Sequence, residues 1–208
     1  MPQVSFELLV AGVQAGDRLV SFPTDTVPAL ATLPEQAALI FAAKQRALDK
    51  PLILMAAQLA DLWPYVGGTP TERSRWEQVA AHYWPGALTL VLPASDRVPT
   101  ALNPLDPRTI GVRVPNHAIA RQILAATGPL ATTSANRSGE PALQTMAAIE
   151  AQFPTVLTLK PEAFSVPTPA IAPEVEVSSS GVPSTVAKWT GTGWQILRQG
   201  AITLEEEP

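Results

Sequence analysis

Residues 129–139 read Pro-Leu-Ala-Thr-Thr-Ser-Ala-Asn-Arg-Ser-Gly, a short apolar strand that runs into a polar turn. The change at Ser134, Ala135 and Asn136 places a hydroxyl and an amide at the end of that strand. In α/β sheets, strand ends converge on one crevice, where ligands bind. A simple turn followed by a helix cap is the alternative interpretation of the same residues.

The segments around this strand alternate between helical and extended patterns. Ser5 precedes apolar residues at helical spacing and Gly16 follows them, which predicts a helix between the two. Pro34 opens a second helix that runs to Lys44. Further helices are predicted near 58–64, 71–84, 116–126 and 144–152, with Thr71 and Asn116 as caps, and strands near 18–22, 52–56, 87–92, 110–114, 129–133 and 155–159.

A hairpin is predicted near the end of the chain. Gly191-Thr192-Gly193 separates two extended segments, 185–190 and 194–198. Antiparallel pairing there, combined with strand and helix alternation elsewhere, predicts an α/β fold whose sheet is mixed.

The composition favours one domain. With 208 residues, 46% of them hydrophobic and 15% charged, the chain can fill one core, so we expect a single domain over 1–208. Residues 161–183 contain five prolines and no helical period, which predicts an exposed loop or flap. Residues 204–208 contain the run Glu205-Glu206-Glu207, which predicts an acidic tail.

Several classes of protein are excluded or disfavoured. The chain has no cysteine and two histidines, which excludes a disulfide scaffold and disfavours a metal site built by the protein. The sequence contains no P-loop, no three-glycine dinucleotide fingerprint, no G-x-S-x-G and no H-E-x-x-H. No apolar run approaches the roughly 18 residues of a membrane helix, and no leader is recognisable, so we expect a cytoplasmic protein without a membrane partner.

The charge pattern points to an anionic ligand. Although the net charge is −4, residues 44–137 carry ten basic and six acidic side chains. If folding gathers these cations, the protein has one cleft that attracts phosphate or RNA. Ordinary solvated arginines are the alternative.

Three further polar groups stand out. Pro23-Thr24-Asp25-Thr26 follows a strand and is either a plain turn or part of the crevice. Lys44, Arg46 and Lys50 lie at the end of the second helix, where they either bind an anion or interact with the helix dipole. Arg113 lies inside the strand 110–114, where its guanidinium must snorkel or find an anionic partner.

The order of the motifs resembles that of a known family, the YrdC-like threonylcarbamoyl-AMP synthases, over roughly residues 5–203. The matching segments are 23–26, 44–46, 84–93, 112–115, 134–139, 184–186 and 196–202. The resemblance implies an open twisted mixed sheet flanked by helices, with a concave basic surface. Some members carry an additional C-terminal domain, for which we expect this chain to be too short.

The resemblance also implies a reaction and its participants. Members make L-threonylcarbamoyl-AMP from L-threonine, bicarbonate and ATP for the threonylcarbamoyl-adenosine modification of tRNA, and Mg²⁺ is expected with ATP. The tRNA threonylcarbamoyl transferase machinery would act downstream. A non-enzymatic relative that binds nucleotide, tRNA or double-stranded RNA is the alternative function.

Individual residues take roles by the same resemblance. The catalytic set is Lys44, Arg46, Ser134 and Asn136. The nucleotide is bound by Arg46, Lys50, Thr109, Ser134, Asn136 and Arg198. Threonine is bound by Thr26, Arg113, Thr132 and Ser184, with Arg113 pairing with its carboxylate.

The chain also departs from the family pattern. Pro28 and Ala29 stand where members usually have tyrosine and glycine, and Met55 stands where a histidine is common. Lys50, Ala142 and Pro183 replace asparagine, serine and glutamate. The departures are concentrated on the amino-acid side of the predicted site.

Overall fold

The computed structural model describes residues 3–160 and 179–205. Within these ranges the strands form one continuous sheet. The strands are β1 (Gln3–Val4), β2 (Val20–Phe22), β3 (Ala29–Thr32), β4 (Ile53–Met55), β5 (Leu88–Pro93), β6 (Thr109–Arg113), β7 (Leu130–Ser134), β8 (Leu157–Leu159), β9 (Thr185–Trp189) and β10 (Trp194–Arg198). The helices are α1 (Phe6–Gln14), α2 (Ala37–Lys44), α3 (Leu59–Leu62), α4 (Pro70–Tyr83), α5 (Ala118–Thr127) and α6 (Met146–Gln152).

The sheet is mixed, as the sequence predicted. Its strand order is β1-β8-β2-β3-β7-β4-β6-β5-β9-β10. The pairs β1/β8, β8/β2, β4/β6 and β5/β9 are parallel, and the other neighbours are antiparallel. The predicted hairpin is present as β9 and β10. The sheet is open, with β1 and β10 at its edges.

Two strands, β1 and β3, and two caps differ from the prediction. The sequence did not predict β3, because Ala29, Leu30 and Ala31 have low intrinsic strand propensity and the strand is stabilised by pairing with β2 and β7. Thr69, not Thr71, caps α4 through a reciprocal capping box with Glu72, since a proline occupies the first helical position. The cap of α5 is His117, one residue beyond Asn116.

Alternation along the strands separates the two faces of the sheet. Leu30, Leu54, Leu90 and Val112 point into a core that also contains side chains of α2, α4 and α6. Side chains on the opposite face, such as those of Ala31 and Leu130, pack against α1 and α5. The residues that line the cleft on this second face include none from α1 or α5, so these helices leave part of the sheet uncovered.

Two predicted segments lie partly outside the described residues. In the predicted loop, residues 161–178 lie outside the described residues and residues 179–183 lie within them. There, the backbone N–H of Ser180 donates to the carbonyl of Asp25 at 3.0 Å, and that of Gly181 donates to the carbonyl of Thr26 at 2.9 Å. Of the predicted tail, 206–208 are outside. Among the described residues, no helix is both long and apolar enough to cross a membrane. The single domain over 1–208 stays a prediction.

Candidate active site

A cleft of about 710 Å³ lies on the uncovered face of the sheet. Its floor is made by strand residues that alternate with core residues, so the core residues Leu54, Leu88 and Val112 are each followed by a residue that faces the cleft. These floor residues are Ala29, Ile53, Met55, Thr89, Val91, Gly111, Arg113, Thr132, Val186 and Lys188. The volume is within the usual range for a small-molecule site.

A buried ion pair lies at one end of the floor. Nη2 of Arg113 donates to Oδ1 of Asp25 at 2.6 Å, Nη1 donates to Oγ1 of Thr26 at 2.9 Å, and Nε donates to the carbonyl of Gly86 at 3.0 Å. Arg113 is 3% exposed and lines the cleft. Burial lowers the pKa of Arg113 from its usual value, whereas the carboxylate of Asp25 raises it. Asp25 is therefore the anionic partner that an arginine inside a strand requires.

The turn at 23–26 holds this pair in place. Oγ1 of Thr24 accepts from the backbone N–H of Thr26 at 3.2 Å and donates to the carbonyl of Val27 at 2.7 Å. Thr24 and Thr26 line the cleft, whereas Asp25 lies behind Arg113 and does not. The guanidinium has five N–H groups, of which contacts with the described residues use three. The other two N–H groups can donate to a ligand.

Lys44 and Arg46, at the end of α2, have side chains that lie in different places. Gln45 adopts the left-handed conformation with φ 49°, which ends the helix directly after Lys44. The Lys44 side chain turns into the protein, while Arg46 is half-buried and lines the cleft. Nε and Nη2 of Arg46 donate to the carbonyls of Lys50 and Pro51 at 2.8 and 3.0 Å. The Lys50 side chain is exposed and is not among the lining residues.

The loop after β7 forms the adjacent wall. Oγ of Ser134 donates to Oδ1 of Asn136 at 2.6 Å. Nδ2 of Asn136 donates to the carbonyls of Arg137 and Glu140 at 2.8 and 2.6 Å. The amide of Asn136 thus organises the loop, and Ser134, Asn136 and Glu140 line the cleft.

Arg198, at the end of β10, lines another side of the cleft. Its Nε and Nη2 donate to the carbonyl of Ser184 at 3.1 and 2.8 Å, and the hydroxyls of Ser184 and Thr89 are 2.8 Å apart. Burial lowers the pKa of Arg198. Nδ2 of Asn103 donates to Oγ1 of Thr109 at 3.0 Å. Oγ1 of Thr132 donates to the carbonyl of Ile53 at 3.4 Å.

The structure brings most of the predicted residues together. Those that line the cleft are Thr26, Arg46, Thr109, Arg113, Thr132, Ser134, Asn136, Ser184 and Arg198. Lys44 and Lys50 are not among the lining residues. Sequence reasoning missed Thr89 and Lys188 on the floor and the carboxylates of Asp49, Asp106 and Glu140 on the walls. The period-two alternation in β5 and β9 was the signal that could have found Thr89 and Lys188.

The fold and the site define the class of this protein, an α/β protein with an open mixed sheet and a cleft over one sheet face that is lined by arginines. Comparison with known proteins gives the family. The Sua5/YciO/YrdC family model, described as Telomere recombination, matches residues 13–200. The chain belongs to this family, which confirms the resemblance predicted from its motifs.

Curated relatives named threonylcarbamoyl-AMP synthase match most of the chain. The relative from Pyrococcus abyssi is 37% identical over 203 residues, which are 95% of this chain and 55% of the relative. The relative from Vibrio cholerae is 34% identical over 187 residues, which are 88% of this chain and 90% of the relative. The chain therefore spans about half the length of the first and most of the second.

A solved structure agrees with these matches. The crystal structure of P. abyssi Sua5 complexed with L-threonine has a TM-score of 0.76 and 30% sequence identity. The match covers 94% of this chain and 54% of that chain. The α/β fold with a large mixed sheet, predicted from the sequence, is confirmed.

Proposed function

We propose that this chain makes L-threonylcarbamoyl-AMP from L-threonine, bicarbonate and ATP. Relatives of that name are 34–37% identical to it, and a threonine-bound relative shares its fold. The observation that carries the proposal is the distribution of guanidinium groups around one cleft. Arg113 lies in the floor with two N–H groups unused by the described residues, and Arg46 and Arg198 line the walls. This arrangement suits one carboxylate and one polyphosphate.

The reaction needs charge stabilisation and positioning. Bicarbonate and the threonine amine form a carbamate with loss of water. A carbamate oxygen then forms a bond to the α-phosphorus of ATP, while the bond to pyrophosphate breaks. Arg46 and Arg198 stabilise the negative charge that builds on phosphate oxygens. Arg113, held by Asp25 and Thr26, orients the threonine carboxylate so that the amine lies towards the phosphate.

The donor set fits Mg²⁺ that arrives with ATP. The described residues contain no group of three or more His, Cys, Asp or Glu side chains able to hold a metal ion. Three separate carboxylates, Asp49, Asp106 and Glu140, line the cleft and are the hard oxygen donors that Mg²⁺ prefers alongside phosphate. Bound to the phosphates, Mg²⁺ would neutralise part of the charge on the leaving pyrophosphate.

The product would serve tRNA modification. We place the reaction in the cytoplasm, where the tRNA threonylcarbamoyl transferase machinery would consume the adenylate. Because the cleft walls carry carboxylates as well as arginines, tight RNA binding in the cleft is disfavoured. The substrates of this chain are then small molecules, and tRNA meets the adenylate on a later enzyme.

A labelling experiment tests the proposal. The protein is incubated with Mg²⁺, ATP, threonine and labelled bicarbonate, and pyrophosphate and the labelled adenylate are measured. Pyrophosphate release should require both threonine and bicarbonate, and Arg113→Ala should abolish it. Arg18→Ala, which removes an exposed arginine outside the cleft, is the matched control. Nucleotide or RNA binding without pyrophosphate release would favour the non-enzymatic relative.

A further inference from the structure

Lys44 is a buried lysine that makes no ion pair with a carboxylate of the described residues. Its side chain is at the end of α2 and the residue is 1% exposed. In the described part of the chain, the ion pairs join Arg18 to Asp17, Arg108 to Asp106 and Arg113 to Asp25. Burial of a charged group without an opposite charge opposes folding. The buried charge therefore costs stability, and stability alone does not explain the lysine at this position.

The side-chain hydrogen bonds of Lys44 to the described residues are with the end of β7 and the loop after it. Its amine donates to the carbonyl oxygen of Ser134 and, at 3.3 Å, to Oδ1 of Asn136. Its own carbonyl accepts from the backbone N–H of Ser138 at 3.3 Å. The last residue of α2 thus holds this loop through both its side chain and its backbone.

The amine also determines which way the Asn136 amide faces. In its protonated form the amine only donates, which favours Oδ1 and not Nδ2 towards Lys44. Nδ2 is then directed to the carbonyls of Arg137 and Glu140. Oδ1 in turn receives the proton of the Ser134 hydroxyl. The Ser134 oxygen is left as an acceptor at the cleft wall, suited to a ribose hydroxyl or an adenine amine.

Lys44 itself is not among the residues that line the cleft, whereas Ser134 and Asn136 are. We propose that Lys44 is a positioning residue of the nucleotide site, which holds the loop from Ser134 to Ser138 in its binding conformation and does not touch the nucleotide. This inference rests on the proposed function for the identity of the ligand. It replaces the direct catalytic role that the family resemblance implied for Lys44.

Stability and affinity should respond to Lys44→Met in opposite directions. Affinity for a non-hydrolysable ATP analogue, measured by calorimetry, should fall about tenfold, because binding must then order the loop that Lys44 no longer holds. The unfolding midpoint should stay the same or rise. Lys160→Met, which removes an exposed lysine at the end of β8, is the matched control and should change neither. A loss of stability in parallel with affinity would overturn the proposal, because it would show a merely structural role.

A double-mutant cycle separates action through the loop from direct contact. In the Asn136→Ala background, Lys44→Met should weaken binding of the analogue by about threefold and not tenfold, since one of the two groups that its amine holds is gone and the carbonyl of Ser134 remains. The same tenfold loss in both backgrounds would show that Lys44 contacts the nucleotide directly and would overturn the proposal.

A measurement without ligand tests the inference apart from the proposed function. Amide hydrogen exchange at residues 134–140 should be faster in Lys44→Met than in Lys160→Met. Unchanged exchange would overturn the role of Lys44 even if the protein binds ATP. Failure of the wild-type protein to bind the analogue would instead contradict the proposed function, and the exchange result would still decide the role of Lys44.

Discussion

Oδ1 of Asp25 lies 2.6 Å from Nη2 of Arg113, and both side chains are at least nine-tenths buried. A substrate carboxylate that reaches Arg113 therefore meets a guanidinium whose charge is already balanced. Asp25 keeps the guanidinium oriented before the substrate arrives, and the carboxylate uses the remaining N–H groups.

Asp25→Asn should destabilise the protein by about 3–5 kcal/mol, because it leaves a buried guanidinium without an opposite charge. Urea unfolding measures this loss. Added threonine should recover more stability in the variant than in the wild type, since its carboxylate replaces the missing charge. Asp17→Asn breaks an exposed pair of 3.7 Å and should cost no more than about 1 kcal/mol. Equal small losses in both variants would contradict the prediction.

Arg46→Ala should weaken ATP binding by about 1.5–3 kcal/mol, the range for hydrogen bonds to charged groups. Its guanidinium lines the cleft and also holds the carbonyls of Lys50 and Pro51, so both phosphate contact and loop order are lost. Calorimetry with ATP and Mg²⁺ measures the change. ATP affinity equal to that of Arg18→Ala would remove Arg46 from the nucleotide site.

Gln45→Gly should stabilise the fold by about 0.5–1 kcal/mol, since glycine adopts a positive φ without the steric cost of a Cβ atom. Thermal and urea unfolding measure the gain. Ala42→Gly, at an exposed position inside α2, should cost a similar amount, because glycine weakens a helix interior. A loss of stability in Gln45→Gly would show that its side chain contributes more than its backbone conformation costs.

Lys44 should make the stability of the protein rise with pH. Burial, with a smaller contribution from the charge of Arg46, lowers the pKa of Lys44 from 10.5 to about 7. Between these values the unfolded chain holds a proton that the folded chain has released, so the free energy of unfolding increases by about 1.4 kcal/mol per pH unit. Below pH 7 both states are protonated and this contribution is flat.

Lys44→Met should lack this rise, whereas Lys160→Met should keep it. Urea unfolding at pH 7, 8 and 9 compares the two variants. Parallel pH profiles would contradict a lowered pKa at Lys44.

Ser21→Ala should be neutral or stabilising by up to about 1 kcal/mol, because the buried hydroxyl of Ser21 has no hydrogen-bond partner among the described residues. Thr158, its register partner on β8, donates its hydroxyl to Glu150 at 2.6 Å. Thr158→Val should therefore cost about 1 kcal/mol, since it removes one hydrogen bond from the half-buried carboxylate of Glu150, whose Oε1 still accepts from Nε2 of Gln3 at 3.0 Å. A clear loss of stability in Ser21→Ala would indicate a hydrogen bond that the structure does not show.

The sequence by itself determined the fold class and most elements of the sheet. The predicted strands at 110–114 and 129–133 and the hairpin after 185 are present because valine, isoleucine, threonine and tryptophan there favour extended backbone. The order of the motifs determined the family. These features depend on residues that are near neighbours in the chain, so their pattern is readable without coordinates.

The tertiary structure decided what sequence patterns do not contain. Strand β3 forms because two flanking strands pair with an alanine-rich segment, and Asp25 meets Arg113 across 88 positions of the chain. Gln45 adopts a left-handed backbone conformation between Lys44 and Arg46. The Lys44 side chain lies in the interior, and Arg46 lines the cleft. Each outcome depends on long-range packing that selects one conformation among several that the local sequence allows.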